Sequence, residues 1–165
     1  MVAAPLSPVS PAPDSRGKAI VQAGLLAGSM DMSAAVLNYL ISGGREPVRI
    51  CYYIASAVFG KETAYAGGWL MATCGLLFHY LIAFIWTVLF FLLYPRLALL
   101  RKNAVAVGLG YGAFVWSVMN LAVVPLSRIH AYPSKISNAS LQMAILMVCI
   151  GLPVALLARR YYARK

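Results

Sequence analysis

Two ionisable side chains, Asp31 and His79, lie inside long apolar stretches of this 165-residue chain. A carboxylate at the centre of a bilayer costs at least ~2.5–3.5 kcal/mol on insertion scales, so such a residue is protonated, paired, or in contact with a water-filled cleft. An imidazole titrates near neutral pH and can share a proton with a carboxyl group. Asp31 and His79 therefore form a candidate intramembrane centre, and the chemistry that they indicate is the binding or transfer of a proton.

Helical spacing places both residues on stripes of small side chains. Asp31 shares a helix face with Gly24 and Gly28, and His79 shares one with Gly75. With a rise of 1.5 Å per residue, Asp31 lies about 18 Å along the first apolar stretch and His79 about 15 Å along the second. Because consecutive spans run antiparallel, we expect the carboxyl and imidazole groups to lie at similar depths on facing helices. Alternatively, His79 is an ordinary hydrogen-bonded residue of the core.

Three amide side chains, Asn38, Asn120 and Gln142, are candidate supporting groups for this centre. On the topology derived below, all three fall in the outer half of the membrane, above Asp31 and His79. Polar groups that accumulate toward one side predict a shallow cavity that opens outward. The alternative is that the amides form interhelical hydrogen bonds, which are worth on average ~0.6 kcal/mol each.

The composition identifies the setting in which these residues must be positioned. Hydrophobic residues make up 62% of the chain and charged residues only 11%. A soluble domain has roughly 45–50% hydrophobic and about 25% charged residues. These values exclude a soluble enzyme, a disordered protein and a small disulfide-stabilised secreted module. The chain is predicted to be all-α, a polytopic membrane protein with its transmembrane helices in one bundle.

Four apolar stretches are long enough to cross a hydrocarbon core of ~30 Å, which requires about 20 residues. They are continuous rather than alternating, so they indicate helices and not barrel strands. The predicted spans lie at about 19–41, 69–94, 104–126 and 139–158.

The distribution of Lys and Arg predicts which way the bundle faces. The N-terminal segment, the second loop and the C-terminus share one side and carry more basic residues than the first and third loops. The positive-inside rule therefore places both termini of this multi-pass protein in the cytoplasm. The basic residues on that side are Arg16, Lys18, Arg96, Arg101, Lys102, Arg159, Arg160, Arg164 and Lys165. Their positions at the ends of spans explain the net charge of +10 without a nucleic-acid partner.

Three segments fall outside the spans. Residues 1–18 are rich in proline and are predicted to form a disordered cytoplasmic tail, and residues 159–165 form a basic one. Within the first loop, residues 48–59 follow Pro47 and precede Gly60, and they are predicted to form a helix at the outer interface. A re-entrant half-helix is the competing interpretation.

The sequence contains no motif of a common enzyme class. HExxH, Gly-x-Ser-x-Gly, a Walker loop and a Cys/His metal cluster are all missing. Cys51, Cys74 and Cys149 have no metal-ligand or disulfide spacing and are interpreted as packing residues. We therefore expect no cofactor and no metal, and no catalytic residue can be named.

Four short segments carry a resemblance to known proteins: residues 24–31 (GLLAGSMD), 53–60 (YIASAVFG), 76–80 (LLFHY) and 116–120 (WSVMN). They resemble the YagU-like families of uncharacterised bacterial inner-membrane proteins, over about residues 19–158. The resemblance implies a four-helix bacterial inner-membrane protein. It implies no activity and therefore no catalytic residues.

Two hypotheses about function follow from these patterns. In the first, the protein binds or moves a proton or a small solute through the Asp31/His79 centre. In the second, it is a non-catalytic accessory or scaffold subunit, whose small-residue helix faces contact a membrane partner protein or a second copy of the chain. An enclosed polar pocket would favour the first hypothesis, and exposed small-residue faces would favour the second. In both, the lipid bilayer is the surrounding partner.

Overall fold

The computed structural model describes residues 15–132 and 136–164, and within these ranges the chain is helical and has no strand. Four helices are long and apolar enough to cross a membrane, which confirms the prediction of an all-α polytopic bundle. These first to fourth spans are Arg16–Ile41, Gly68–Leu93, Ala104–Leu126 and Asn138–Tyr162.

The first span, α1 (Arg16–Ile41), begins within the segment predicted as a tail. The Ser15 hydroxyl accepts a hydrogen bond from the Lys18 backbone N–H at 3.2 Å and caps the helix, as serine commonly does. The predicted boundary at residue 18 is therefore wrong by a few residues, because a polar N-cap starts the helix before its apolar portion. The rest of the predicted tail, residues 1–14, lies outside the described residues.

The first loop contains two helices, α2 (Val48–Phe59) and α3 (Lys61–Ala66), before the second span, α4 (Gly68–Leu93). The bounds of α2 are those predicted. Gly60 separates α2 from α3 with φ +83°, a backbone conformation that favours glycine. Helix α2 packs along α4, and a Cβ atom on Gly75 of α4 would overlap the backbone carbonyl of Cys51. The close approach of these two helices therefore depends on glycine.

The third and fourth spans each contain a π-helical turn. The third consists of α5 (Ala104–Val118), a π segment (Met119–Val123) and α6 (Val124–Leu126). The fourth consists of α7 (Ile136–Leu146), a π segment (Met147–Gly151) and α8 (Leu152–Tyr162). Each π segment ends two residues before a proline.

Pro125 and Pro153 explain the position of the two π segments. Each proline lacks an N–H group, so the carbonyl four residues earlier loses its α-helical donor. Those carbonyls belong to Leu121 and Cys149, which lie inside the π segments. Local widening of the helix is one of the ways in which membrane helices accommodate proline.

Glycines bring the third and fourth spans into backbone contact. A Cβ atom on Gly108 would lie 2.8 Å from the carbonyl oxygen of Gly151, and one on Gly112 would overlap the backbone of Met147. In the first span, Gly24 and Gly28 face α4, where they contact the ring of Phe84 and the ring of Tyr80. These small residues therefore serve packing inside the bundle.

The densest packing lies in the half of the bundle that carries the chain termini. Large rings from α4, α5 and α8 pack there against buried alanines of α1 and α8. Tyr111 donates a hydrogen bond to the carbonyl of Trp86 at 2.6 Å, and Tyr162 donates one to the carbonyl of Phe91 at 2.8 Å. The core residues in this half are Ala19, Ala23, Ala27, Trp86, Phe90, Phe91, Tyr94, Tyr111, Val115, Val154, Ala155, Ala158 and Tyr161. The opposite half, covered by α2, contains the cavities described below.

Replacing Gly112 by alanine is expected to lower the free energy of unfolding by about 1–3 kcal/mol, because the new methyl group overlaps the Met147 backbone. Gly110 is a matched control on the same helix, since a Cβ atom there meets nothing within 4 Å. Gly110→Ala should stay within about 1 kcal/mol of wild type or increase stability. Thermal unfolding in detergent micelles measures both variants. Equal midpoints for the two would contradict the packing described here.

Candidate functional site

Asp31 lies in the middle of α1, where two cavities meet. It is half-buried and lines both of them. Within residues 15–132 and 136–164, no hydrogen bond and no ion pair holds its carboxyl group. The carboxyl group therefore faces open space rather than a bonded protein partner.

The polar cavity has a volume of about 340 Å³ and lies between the first, third and fourth spans, on the α2 side of Asp31. Asn38, Asn120 and Gln142 all line it with Asp31. The structure thus brings the three predicted supporting amides together around the predicted acid. The remaining lining residues are Ala35, Tyr39, Ser42, Ile50, Trp116, Ile145 and Leu146.

Trp116 is a polar member of this cavity that the sequence analysis did not single out. Its indole Nε1 is buried and has no hydrogen-bond partner among the described residues. The Trp116 carbonyl accepts a hydrogen bond from the Asn120 amide at 3.1 Å, so the two side chains occupy adjacent turns of the same helix. An indole placed among amides in an apolar span is the signal that could have identified it.

The apolar cavity is larger, about 490 Å³, and lies between α2, α4 and the third span. Asp31, His79 and Asn120 line it, so it shares Asp31 and Asn120 with the polar cavity. Its other walls are mostly aliphatic and aromatic. They comprise Tyr53, Ile54, Ala57, Val58, Phe78, Leu81, Ile82, Ala83, Trp86, Val115, Met119, Val123, Val124, Ser127, Ile129, Leu146 and Ile150.

His79 is held by the backbone of α1. Its Nε2 lies 2.8 Å from the carbonyl oxygen of Gly28. A carbonyl only accepts hydrogen bonds, so Nε2 carries the hydrogen and Nδ1 is the basic nitrogen of the neutral ring. The next residue, Tyr80, shares a hydrogen bond of 2.9 Å with the Ser29 hydroxyl. These two bonds fix α4 against α1 one turn before Asp31.

Asp31 and His79 line the same cavity, but no hydrogen bond or ion pair joins them in the described part of the chain. They are close enough to interact electrostatically, and the Cys149 thiol also lies within electrostatic range of Asp31. The sequence predicted that the imidazole lies opposite the carboxyl group. In the structure the two groups share a cavity, but no direct bond joins them. The imidazole Nε2–H donates its hydrogen bond to the Gly28 carbonyl instead.

The residues of the site include no set of ligands for a metal ion. No group of three or more His, Cys, Asp or Glu residues with suitable geometry occurs among the described residues. Cys51, Cys74 and Cys149 are free thiols. The side chains of the cavities can therefore supply one carboxyl group, one imidazole, amides and hydroxyls for hydrogen bonding or proton exchange.

Helix α2 covers the apolar cavity on the side away from the termini. Its Ala57 carbonyl accepts a hydrogen bond from the Arg128 backbone N–H at 3.1 Å, which fixes the end of α2 to the loop after the third span. Burial, and to a smaller degree the neighbouring Tyr65, raises the pKa of Tyr53. The Tyr53 hydroxyl therefore stays protonated at neutral pH and lines the cavity as an uncharged polar group.

No protein family, curated protein or solved structure matches this chain.

The bond from His79 to Gly28 predicts different effects for two substitutions. His79→Leu removes the donor and should lower stability by about 1 kcal/mol, in the range measured for interhelical hydrogen bonds in membranes. His79→Gln keeps an N–H donor and should lose less. Ser33→Ala is the control, because Ser33 is exposed and lines neither cavity. Thermal unfolding in micelles measures these variants. If His79→Leu had the same unfolding midpoint as Ser33→Ala, a structural role for this bond would be refuted.

Proposed function

We propose that this integral membrane protein binds a small solute at Asp31, in a manner that depends on the protonation state of the carboxyl group, and moves the solute or a proton between the two cavities. One observation carries the proposal. The Asp31 carboxyl group has no bonded partner in the described chain and lies where a polar and an apolar cavity meet. Polar groups at membrane depth are costly and mark ion and substrate pathways.

The chemistry of the centre follows from its two titratable groups. A protonated Asp31 is neutral and is stable beside apolar walls, whereas an ionised Asp31 requires water or a cation in a cavity. His79 supports the ionised form, because its Nδ1 can take up a proton while Nε2 remains bonded to Gly28. Asn38, Asn120 and Gln142 supply hydrogen bonds to water or solute in the polar cavity.

The proposal includes an orientation in the membrane. The excess of Lys and Arg near the termini supports cytoplasmic termini, and the resemblance to the YagU-like families implies a bacterial inner membrane. The polar cavity lies near Ser42, at the opposite end of α1 from Arg16. On this orientation, the polar cavity is on the outer side, and a proton would reach Asp31 from outside.

The scaffold hypothesis has less support from the packing. Gly24 and Gly28, which form the small-residue face predicted on the first span, contact aromatic rings of α4. Ala106 and Gly110 of the third span are exposed, but no second observation indicates that a partner covers them. The described structure therefore supports solute or proton handling better.

A carboxyl titration tests the proposal directly. Infrared difference spectra of the protein in lipid vesicles, recorded between about pH 4 and 10, should include a titrating carboxyl band that is absent from Asp31→Asn. Glu62→Gln is the matched control, because Glu62 is an exposed acid of α3 outside both cavities. Its spectrum should keep the band. If wild type and Asp31→Asn gave the same spectra across this range, Asp31 would not be a titrating site.

Proton movement is measured with a pH-sensitive dye enclosed in proteoliposomes. Under an imposed pH gradient, Asp31→Asn should reduce the protein-dependent proton flux at least about tenfold, since the amide cannot exchange a proton. Glu62→Gln should leave the flux unchanged. Equal flux in wild type and Asp31→Asn, with folding intact in both, would rule out proton movement through Asp31.

A further inference from the structure

The apolar cavity combines two features that rarely occur together. Its walls are almost entirely hydrocarbon and aromatic, yet a carboxyl group without a bonded partner among the described residues lies on its lining. Its volume of about 490 Å³ is within the range of roughly 300–1,000 Å³ that is typical of pockets for small organic ligands. Both the size and the chemistry of the cavity therefore constrain what can occupy it.

We propose that the apolar cavity binds an organic cation with an apolar body, whose positive group lies against Asp31 and whose apolar portion fills the space beneath α2. This inference rests on the proposed function and deepens it by naming the class of solute. The charge selects the class, because Asp31 is the only acidic residue among the described ones that lines either cavity. An anionic amphiphile would be repelled by an ionised carboxylate.

The walls offer a second source of selectivity for cations. Tyr53, Phe78 and Trp86 line the cavity, and the faces of aromatic rings attract organic cations. Asn120 and Ser127 provide the remaining polar contacts. A neutral apolar molecule would gain the hydrophobic contacts alone and would leave the carboxyl group unpaired.

The rim of the cavity indicates how such a solute arrives. Val58 of α2, Leu81 of α4 and Val123 of the third span line the cavity and are exposed, by 51%, 55% and 42% respectively. These residues face the side of the bundle, where the lipid lies around a membrane-spanning protein. A cation with an apolar body concentrates in the interface of a bilayer and would reach Asp31 laterally past this rim.

Binding of the cation must compete with protons. Among the described residues, the titratable groups that line the two cavities beside Asp31 are His79 of α4, Tyr53 of α2 and Tyr39 of α1, and Cys149 of the fourth span lies within electrostatic range. A proton on Asp31 removes the negative charge that the cation requires, and a proton on His79 adds a competing positive charge. Affinity for the cation should therefore rise with pH, by up to about tenfold per unit where one proton is displaced.

The test measures binding of octyltrimethylammonium to the protein in nanodiscs of phosphatidylcholine, by isothermal titration calorimetry between about pH 5 and 9. Octanol and octyl sulfate replace the charge with a neutral and an anionic group. Ala57→Phe fills the apolar cavity without touching the polar one, since Ala57 lines only the apolar cavity. Ala106→Phe is its matched control, because Ala106 is exposed and lines neither cavity.

The expected result is saturable binding of octyltrimethylammonium that strengthens with pH. Asp31→Asn and Ala57→Phe should each weaken it at least about tenfold, and Ala106→Phe should not. Octanol and octyl sulfate should show no binding above that of empty nanodiscs. Equal binding by wild type and Asp31→Asn, or octanol binding as tight as that of the cation, would overturn the proposal and indicate an uncharged occupant such as a lipid chain.

The infrared titration of Asp31 separates this inference from the proposed function. If the carboxyl band titrates but octyltrimethylammonium neither binds nor shifts the titration, the cation proposal is wrong and a proton or another solute remains. If the band does not titrate at all, the proposed function itself fails.

Discussion

The arrangement of this bundle depends on one constraint, the placement of the Asp31 carboxyl group within an apolar helix without a bonded partner among the described residues. A carboxylate in hydrocarbon is unfavourable by several kcal/mol, and a neutral carboxyl group still requires hydrogen bonds. In the structure, the carboxyl group borders open cavities and forms no salt bridge with a described residue. Two cavities converge on Asp31, and this space leaves the carboxyl group accessible.

The cavities exist because the two halves of the bundle are packed differently. Rings of α4, α5 and α8 fill the half near the termini and are fixed by hydrogen bonds such as that from Tyr111 to the Trp86 carbonyl. Toward α2, the π segments that precede Pro125 and Pro153 widen the third and fourth spans. Asn120 lies in one of these segments and Cys149 in the other, both near Asp31. π-Helical turns often occur at functional sites, and here they border the space around the acid.

Much of the fold could be predicted from the sequence, since hydrophobicity and length identify membrane helices directly. The third span and α2 have the predicted bounds, because Asn103, Pro47 and Gly60 are strong local signals at their ends. The set of polar residues around Asp31 could also be predicted from periodicity. The π segments could have been anticipated from Pro125 and Pro153, but their effect on the cavities depends on how the widened helices pack, which no local pattern specifies.

The role of His79 shows where helical spacing is insufficient. Depth along each helix predicted that His79 and Asp31 lie near the same level, and in the structure both line one cavity. Spacing could not determine the direction of the imidazole, which depends on the Gly28 carbonyl one turn before Asp31. That bond has a chemical consequence. Because Nε2 donates its hydrogen to the Gly28 carbonyl, Nδ1 is the ring nitrogen that remains able to accept a hydrogen bond. The imidazole therefore lines the cavity without bonding to the carboxyl group, and the Asp31 carboxyl group faces the space of both cavities.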